Sequence, residues 1–168
     1  MNAIKLQPIG VIQSPFNDLN GMPIQPKAAE GISGTVTVFP DYREGLQDLA
    51  GFSHIILLYH FHRSTGFALS VVPFLDVTPR GVFATRAPRR PNPIGLSVVG
   101  LQRVNGGNLH VVNVDILNGT PLLDIKPYVP VFDAPAKIRT GWLEGAQGDV
   151  AAKRSDGRFT GSGDESGR

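Results

Sequence analysis

Cysteine is absent from the 168 residues of this chain, which excludes disulfides, thiolate nucleophiles and cysteine-type zinc sites. Charged residues make up only 18% of the sequence, and the formal net charge is +2. An anionic partner must therefore be met by a local basic patch rather than by the whole surface. No apolar run approaches the roughly 20 residues that span a bilayer, and the first residues lack the apolar core of a signal peptide. The sequence therefore predicts a cytoplasmic protein with no membrane partner.

Glycine and proline are frequent, with 20 and 14 residues, and both interrupt regular secondary structure. Strands are predicted at residues 4–12 (an edge strand), 31–39, 54–62, 81–85, 96–104 and 109–116. Asn105 and Gly106 indicate a hairpin between the last two. The expected fold is mostly all-β, a β-barrel or a strongly curved open sheet with proline-rich loops. A Rossmann fold is not expected, because its glycine fingerprint is missing.

Two further segments carry local predictions. Asp41 and Glu44 have capping-box spacing and predict a short helix that starts at Asp41. Residues 129–132 are apolar and are predicted to be extended. Residues 145–168 are too polar to order themselves, so a barrel domain over 1–144 is expected to be followed by a flexible C-terminal tail.

Residues 85–97, called the arginine loop below, contain three arginines and three prolines. Proline fixes its own φ and restricts the residue before it, so the loop is predicted to be extended and stiff. Guanidinium groups bind carboxylates and phosphates in a planar, bidentate manner. The alternative is a solvated cationic surface turn. We favour the interpretation that the arginine loop binds an anionic group of a ligand.

The histidines of residues 54–62 are candidate metal ligands. Period two places His54, His60 and His62 on one face of the predicted strand. His60 and His62 would supply two of the four ligands that a structural zinc site needs. Cysteine is absent, and His110 is far along the chain. We therefore expect no metal, and we interpret the histidines as neutral, hydrogen-bonded groups that line a barrel or a ligand pocket.

Acidic residues follow in two places. Asn113 and Asp115 share one face of the predicted strand 109–116, and an acid there lies either at an exposed end or beside a group that it holds. Asp124, Lys126 and Tyr128 then place a carboxylate, an ammonium and a phenol within five residues. The alternative for Asp124 and Lys126 is a surface ion pair that contributes little. The residues alone predict a site near the arginine loop but do not name a reaction.

Six motifs occur in one order along the chain, and together they resemble the TsaA-like family of TrmO-type tRNA (adenine-37-N6)-methyltransferases. They are Gly10-Val-Ile-x-Ser-Pro15, Gly51-Phe-Ser-His54, Gly81-Val-Phe-Ala-Thr-Arg86, Arg90-Pro-Asn-Pro-Ile-Gly95, Asn118-Gly-Thr-Pro121 and Asp124-Ile-Lys-Pro-Tyr128. The resemblance covers about residues 4–144. It implies a barrel that binds S-adenosylmethionine (SAM), and methylation of N6 of threonylcarbamoyladenosine at position 37, in the anticodon loop of tRNA. It also implies a homodimer with the active site near the subunit interface.

The resemblance also implies roles for individual residues. The positions that match the family's cofactor site are Pro26, Lys27, Ala28, His62, Arg63, Arg86, Leu96, Val112, Asn113, Val114 and Asp115. Arg86 is expected to face the cofactor, whereas Arg89 and Arg90 are expected to lie further out, against tRNA phosphates. Asp124, Lys126 and Tyr128 are candidates for assisting proton loss from the acceptor nitrogen or for holding the nucleotide. The alternative function is a non-catalytic SAM-binding or RNA-binding module.

Overall fold

Eight strands are present in a computed structural model that describes residues 3–23, 26–145 and 155–156. They are β1 (Gly10–Gln13), β2 (Ser33–Val38), β3 (His54–His60), β4 (Ser70–Val71), β5 (Arg80–Gly81), β6 (Ile94–Asn105), β7 (Asn108–Val112) and β8 (Thr120–Pro127). Six of them close into a barrel in the order β1-β2-β7-β6-β3-β8, whereas β4 and β5 form a separate two-stranded sheet. All pairings in the barrel are antiparallel. The expected β-barrel is therefore confirmed.

The barrel interior is filled by alternate residues of the strands, because successive side chains of a strand point to opposite faces. On β3 the buried residues are Ile55, Leu57 and Tyr59. The other buried core residues include Ile12, Val36, Val38, Val99, Leu109, Val111, Val114, Ile116 and Leu122. The alternation predicted for β3 is correct, but His54 and His60 are on its exposed face. The expectation that they line a barrel interior or a pocket is wrong.

The β6–β7 hairpin agrees with its prediction. Asn105 pairs with Asn108, so Gly106 and Gly107 form a two-residue turn. Gly106 has a φ of +56°, in the left-handed region that two-residue hairpin turns require and that glycine adopts without a steric penalty.

Several short predicted elements differ from the structure. The strand predicted over residues 4–12 begins at Gly10, and it is not an edge strand, because it pairs with both β2 and β8 in the closed barrel. Residues Val82–Ala84 form a 3-10 helix instead of a strand, and residues 130–132 are helical rather than extended. They include most of α1 (Pro130–Asp133), which starts with proline at a first-turn position and whose Asp133 carboxylate accepts a hydrogen bond from the Val129 amide at 2.7 Å. Short apolar runs do not distinguish extended from helical structure by periodicity.

The predicted helix near Asp41 is also different in detail. Residues Pro40–Leu46 and Leu49–Gly51 form two 3-10 helices. The first begins at Pro40, and the residue that precedes it, Phe39, offers no side-chain cap. The capping-box interpretation of Asp41 is therefore wrong, because proline already starts the turn one residue earlier.

Residues after the last strand contact the segment that precedes the arginine loop. A 3-10 helix spans Gly141–Gly145, and the Trp142 Nε1 donates to the Ala84 carbonyl at 2.8 Å. Most of the predicted tail, residues 146–154 and 157–168, lies outside the described residues. Ser155 and Asp156 of the predicted tail are described, and Ser155 is hydrogen-bonded to the loop that precedes β2. Within the described ranges, no helix is both long enough and apolar enough to cross a membrane.

Candidate functional site

A cavity of about 330 Å³ opens where the end of β3 and the beginnings of β6 and β8 meet the arginine loop. Its polar wall includes Tyr59, His62, Arg63, Ser64, Thr85, Arg86, Arg90, Asp115, Thr120, Ser155 and Asp156. Its apolar wall includes Leu19, Met22, Phe61, Phe74, Ile94, Leu96, Ile116 and Leu117. The cavity therefore combines several charges with an extended apolar surface.

A chain of hydrogen bonds joins three side chains at the cavity wall. The Ser97 hydroxyl donates to Oδ1 of Asp115 at 2.6 Å, and the Tyr59 hydroxyl lies 3.0 Å from the Ser97 oxygen. Because Ser97 has one proton and gives it to the carboxylate, the Tyr59 hydroxyl must donate to Ser97. Tyr59 and Ser97 are both buried. The network holds the Asp115 carboxylate in one orientation.

Gly95 makes room for this network. It lies opposite Tyr59 in the β3–β6 pairing, and a Cβ atom at Gly95 would overlap the Tyr59 ring. Only glycine lets the ring lie against the strand without displacing it. The glycine of the Asn-Pro-Ile-Gly motif is thus a packing requirement of the cavity wall.

Asp115 reaches the cavity because β7 stops early. The strand ends at Val112, and Asn113 has a φ of +65°, which breaks the regular alternation. The Asn113 side chain stabilises the break by accepting a hydrogen bond from the Gly31 amide at 2.9 Å. The predicted strand over 109–116, with Asn113 and Asp115 on one face, is therefore wrong in extent. Of the two alternatives for Asp115, an exposed strand end does not fit a half-buried side chain in the cavity wall, and the alternative that it holds a group remains a prediction.

The electrostatics of the wall follow from burial. Burial raises the pKa of Asp115 to about 6, although the hydrogen bond from Ser97 and the charge of Arg86 act in the opposite direction. Burial, and then the negative charge of Asp115, raise the pKa of Tyr59, so its hydroxyl stays protonated at neutral pH. Burial and the charge of Arg63 lower the pKa of His62. At neutral pH the wall therefore carries a carboxylate that is poorly solvated and a neutral histidine.

The three arginines of the arginine loop differ in their surroundings. Arg86 is exposed and lines the cavity. Arg90 is half-buried, and its Nη1 donates to the carbonyl oxygens of Val82, Thr85 and Ala87 at 3.3, 2.9 and 3.2 Å. The expectation that Arg90 lies further out than Arg86 is wrong, because the turn directs these carbonyls to a single point where a guanidinium satisfies them together.

Arg89 is half-buried as well, so the expectation that it lies further out than Arg86 is also wrong. Among the described residues, the buried Nε of Arg89 has no hydrogen-bond partner. The arginine loop is thus an ordered part of the cavity wall, fixed by the hydrogen bonds of Arg90, and not a solvated turn.

The predicted catalytic residues lie elsewhere. Asp124 and Lys126 are on β8, opposite Leu58 and Ile56 of β3, on the face of the strand that points away from the core. The Asp124 Oδ2 lies 2.8 Å from the Lys126 Nζ, and the two side chains are 43% and 59% exposed. Tyr128 packs edge-on against His54, with ring centroids 6.5 Å apart. Asp124, Lys126 and Tyr128 do not line the cavity of their own chain.

The predicted cofactor residues divide into three groups. His62, Arg63, Arg86, Leu96 and Asp115 all line the cavity. Val112, Asn113 and Val114 form the segment that leads to Asp115; the Val114 side chain is in the core and its amide donates to the Ile32 carbonyl at 3.2 Å. Pro26, Lys27 and Ala28 belong to the 3-10 helix Pro26–Ala29, and Ala28 is buried.

Tyr59 and Ser97 are not among the residues predicted from the sequence. One signal was available, because Tyr59 is on the buried face of β3 and a buried phenol usually finds a hydrogen-bond partner. Its partner depends on the register between β3 and β6, which no local pattern shows. Where the structure describes the chain, no group of three or more histidine or acidic side chains is placed to hold a metal ion.

Comparison with known families identifies the barrel. The family described as the tRNA-methyltransferase O N-terminal domain matches residues 11–134. The chain belongs to this family. A crystal structure of TrmO from Pseudomonas aeruginosa superimposes with a TM-score of 0.71 at 40% identity, and covers 84% of this chain and 63% of that one.

Two relatives of the TrmO family carry functional names. A probable S-adenosyl-L-methionine-binding protein of Pyrococcus abyssi is 56% identical over 91% of this chain and 83% of the relative. The human tRNA (adenine(37)-N6)-methyltransferase is 34% identical over 79% of this chain, but the match covers only 32% of the human protein. The chain thus spans less than two thirds of the Pseudomonas aeruginosa and human proteins.

Proposed function

We propose that this chain binds SAM in the cavity and transfers the methyl group to N6 of threonylcarbamoyladenosine at position 37 of tRNA, in the cytoplasm. The observation that carries the proposal is the meeting of Arg86 and Asp115 in one cavity with an apolar wall. Membership of the TrmO family and the names of the Pyrococcus abyssi and human relatives support the same function.

The residues of the cavity fit SAM. The methionine part of SAM has a carboxylate, which suits the Arg63 and Arg86 guanidiniums, and an ammonium, which suits Asp115. Because burial raises the pKa of Asp115 to about 6, a cationic group beside it would stabilise the ionised carboxylate. Leu96 and Ile94 are 43% and 39% exposed, and they offer apolar surface for an adenine ring. Residues 26–28 and 112–114 complete the proposed site from the neighbouring segments.

When bound, SAM supplies a methyl group on a sulfonium, and its transfer to a nitrogen that loses a proton leaves S-adenosylhomocysteine. The protein contributes positioning above all, because a displacement needs its reacting atoms in line. Tyr59 and Ser97 fix the Asp115 carboxylate through bonds of 3.0 and 2.6 Å. The Arg90 bonds fix the arginine loop, so that Arg86 is presented to the cavity.

Asp124, Lys126 and Tyr128 act, in this proposal, on the cavity of a second subunit. They lie on the outer face of the barrel, and the chain that follows them exposes Val131 and Phe132 to 82% and 81%. Apolar side chains that are exposed to this extent suit a subunit contact, and two-fold dimers are the commonest oligomers. Asp124, which is held by Lys126 at 2.8 Å, would accept the proton from N6.

Methyl transfer is tested with labelled SAM and two tRNA transcripts, one enzymatically threonylcarbamoylated at adenosine 37 and one unmodified. We expect label only in the modified tRNA, at N6 of that nucleoside. SAM binding with no label in either tRNA would support the non-catalytic alternative and contradict the proposal. Label in both would retain the methyltransferase but contradict the assigned substrate.

The proposal that Asp124 acts on the cavity of a second subunit is tested by mixing two variants. Arg86→Ala and Asp124→Asn should each be inactive, because one damages the cavity and the other the proposed proton acceptor. If the residues act across a dimer, refolding the two together restores about a quarter of the sites, since half of randomly formed dimers are mixed and each has one intact site. Recovery that does not exceed the sum of the two separate variants would show that both residues serve one subunit.

A further inference from the structure

Ser155 is hydrogen-bonded to the loop that precedes β2. Its amide donates to the Met22 carbonyl at 2.8 Å, and its carbonyl accepts from the Gly21 amide at 2.9 Å. Its hydroxyl donates to the Leu19 carbonyl at 2.5 Å and accepts from the Met22 amide at 2.8 Å. Every hydrogen-bonding group of this residue is therefore used, although the surrounding sequence is polar and predicts no order.

A second contact joins Trp142 to the residue that directly precedes the arginine loop. The Trp142 Nε1 donates to the Ala84 carbonyl at 2.8 Å, and the Arg80 guanidinium lies 5.6 Å from the Trp142 ring centroid. Arg80 is itself paired with Asp76 at 2.7 Å. Ala84 directly precedes the arginine loop, whereas Leu19 and Met22 line the cavity. Both contacts therefore attach the C-terminal part of the chain to segments that border the cavity.

Asp156 lines the cavity together with Ser155. Arg63, Arg86, Arg90 and Asp115 leave the lining with a formal charge of +2, and Asp156 lowers it to +1. His62 adds no charge at neutral pH, because burial lowers its pKa. SAM has a net charge of +1 as well, with an ammonium, a sulfonium and one carboxylate. A second carboxylate in the lining therefore reduces the repulsion that the ligand meets and offers a partner for its second cationic centre.

We propose that Asp156 is a further cofactor-binding residue, whose carboxylate attracts a cationic centre of the ligand while Ser155 fixes the segment as part of the cavity wall. The inference rests on the proposed function, because it takes SAM as the ligand. The shared chemistry is a cation, either the ammonium or the sulfonium. Asp156 is exposed, so its contribution is smaller than that of the half-buried Asp115.

The test is calorimetry of the full chain with SAM and with S-adenosylhomocysteine, which has the ammonium but no sulfonium charge. Asp156→Asn should weaken SAM binding about threefold to tenfold. Ser155→Ala should weaken it by about twofold to fivefold, because the segment is then in place for a smaller fraction of the time. Asp41→Asn makes the same charge change outside the cavity lining and serves as the control. Thermal unfolding midpoints show that each variant is folded.

Different results would contradict the role of Asp156 and the proposed binding of SAM. Equal losses for both ligands in Asp156→Asn would assign the carboxylate to the ammonium, and a loss for SAM alone would assign it to the sulfonium. Unchanged binding of both ligands, or the same loss in Asp41→Asn, would overturn the inference. If the wild-type chain bound neither ligand, the proposed function itself would be wrong. An increase in KM for SAM without a change in kcat would agree with a binding role.

Discussion

Asp115 and Asp124 are nine residues apart, and the barrel places them in opposite surroundings. Asp115 is partly buried at the cavity wall, where it accepts a hydrogen bond from Ser97 at 2.6 Å and burial raises its pKa to about 6. Asp124 is on the outer face of β8, 43% exposed, with the Lys126 ammonium 2.8 Å away. The first carboxylate is held by a buried network, whereas the second is in an ion pair that water can replace.

The two environments suit the two carboxylates to different roles. A carboxylate that is poorly solvated gains most from a cationic ligand, so Asp115 suits cofactor binding. A carboxylate in contact with water changes its interactions at little cost, so Asp124 suits a transient role in proton transfer. If this division is correct, changes at the cavity wall should affect stability and SAM affinity, and changes at the outer face should affect neither.

The largest effect is expected from Gly95→Ala, which disturbs the packing of the cavity wall. The new methyl group would overlap the buried Tyr59 ring, and the ring cannot move without losing its bond to Ser97. We expect the free energy of unfolding to fall by about 3 kcal/mol. Urea unfolding that is followed by tryptophan fluorescence and circular dichroism measures this.

Gly81→Ala is the matched control. A Cβ atom at Gly81 meets nothing within 4 Å, so we expect a change below about 0.5 kcal/mol. Equal losses in the two variants would mean that the Tyr59–Gly95 contact does not determine the stability of the cavity wall.

The second effect separates the two carboxylates directly. Asp115→Asn keeps an acceptor for Ser97 but removes the charge, so we expect SAM affinity to fall by about 2 kcal/mol, or roughly thirtyfold. Asp124→Asn should leave SAM affinity unchanged. Calorimetry at pH 7.5 gives both values, and a loss in Asp124→Asn as large as that in Asp115→Asn would contradict the division of roles.

Most strands of the barrel could be predicted because their signals are local, but β8, which pairs with β1 and β3, is not among the predicted strands. Asn105 and Gly106 indicate the β6–β7 turn, and alternation separates the two faces of β3, although the face with His54 and His60 is the outer one and not the interior. The predictions for residues 82–84 and 130–132 are wrong, since a run of a few apolar residues fits either an extended segment or a helical turn. The tertiary structure, rather than propensity, decides such short elements.

The cavity could be predicted only in part. His62, Arg63, Arg86, Leu96 and Asp115 are implied by the resemblance to the TsaA-like family, and all five line the cavity. The Tyr59–Ser97–Asp115 network depends on strand register and on the break at Asn113, and both involve residues far apart in sequence. The bonds of Arg90 and Ser155 depend on where backbone carbonyls point, which side-chain patterns do not show.

The third effect is a pH dependence that only the cavity wall should show. SAM binding favours the ionised form of Asp115, so affinity should rise up to tenfold per pH unit as pH approaches the Asp115 pKa of about 6 and then level off. Asp115→Asn should remove the rise. The pKa of Asp115 is higher in the folded than in the unfolded chain, so its contribution to the stability of the ligand-free protein has the opposite sign.

That contribution is fully present below about pH 4, the unfolded pKa, and is lost as pH rises through about 6. The free energy of unfolding of the wild type should therefore fall relative to that of Asp115→Asn between these values. Calorimetric SAM titrations and urea unfolding from pH 4.5 to 8 measure both trends. A difference between the two proteins that is independent of pH would show that Asp115 is ionised throughout.

The smallest effect on stability is expected at the outer face. Lys126→Met removes the partner of Asp124 but keeps much of the side-chain length, and exposed ion pairs are worth little. We expect the free energy of unfolding to change by less than about 0.5 kcal/mol and SAM affinity to stay the same. Methyl transfer to modified tRNA should nevertheless fall, since Asp124 would no longer be held for the acceptor nitrogen. The split is measured by urea unfolding, calorimetry and single-turnover methylation of the same preparation. Full methylation in Lys126→Met would mean that Lys126 has no part in the proposed mechanism. A marked loss of stability would mean that the Asp124–Lys126 ion pair stabilises the barrel and is not specific to the reaction.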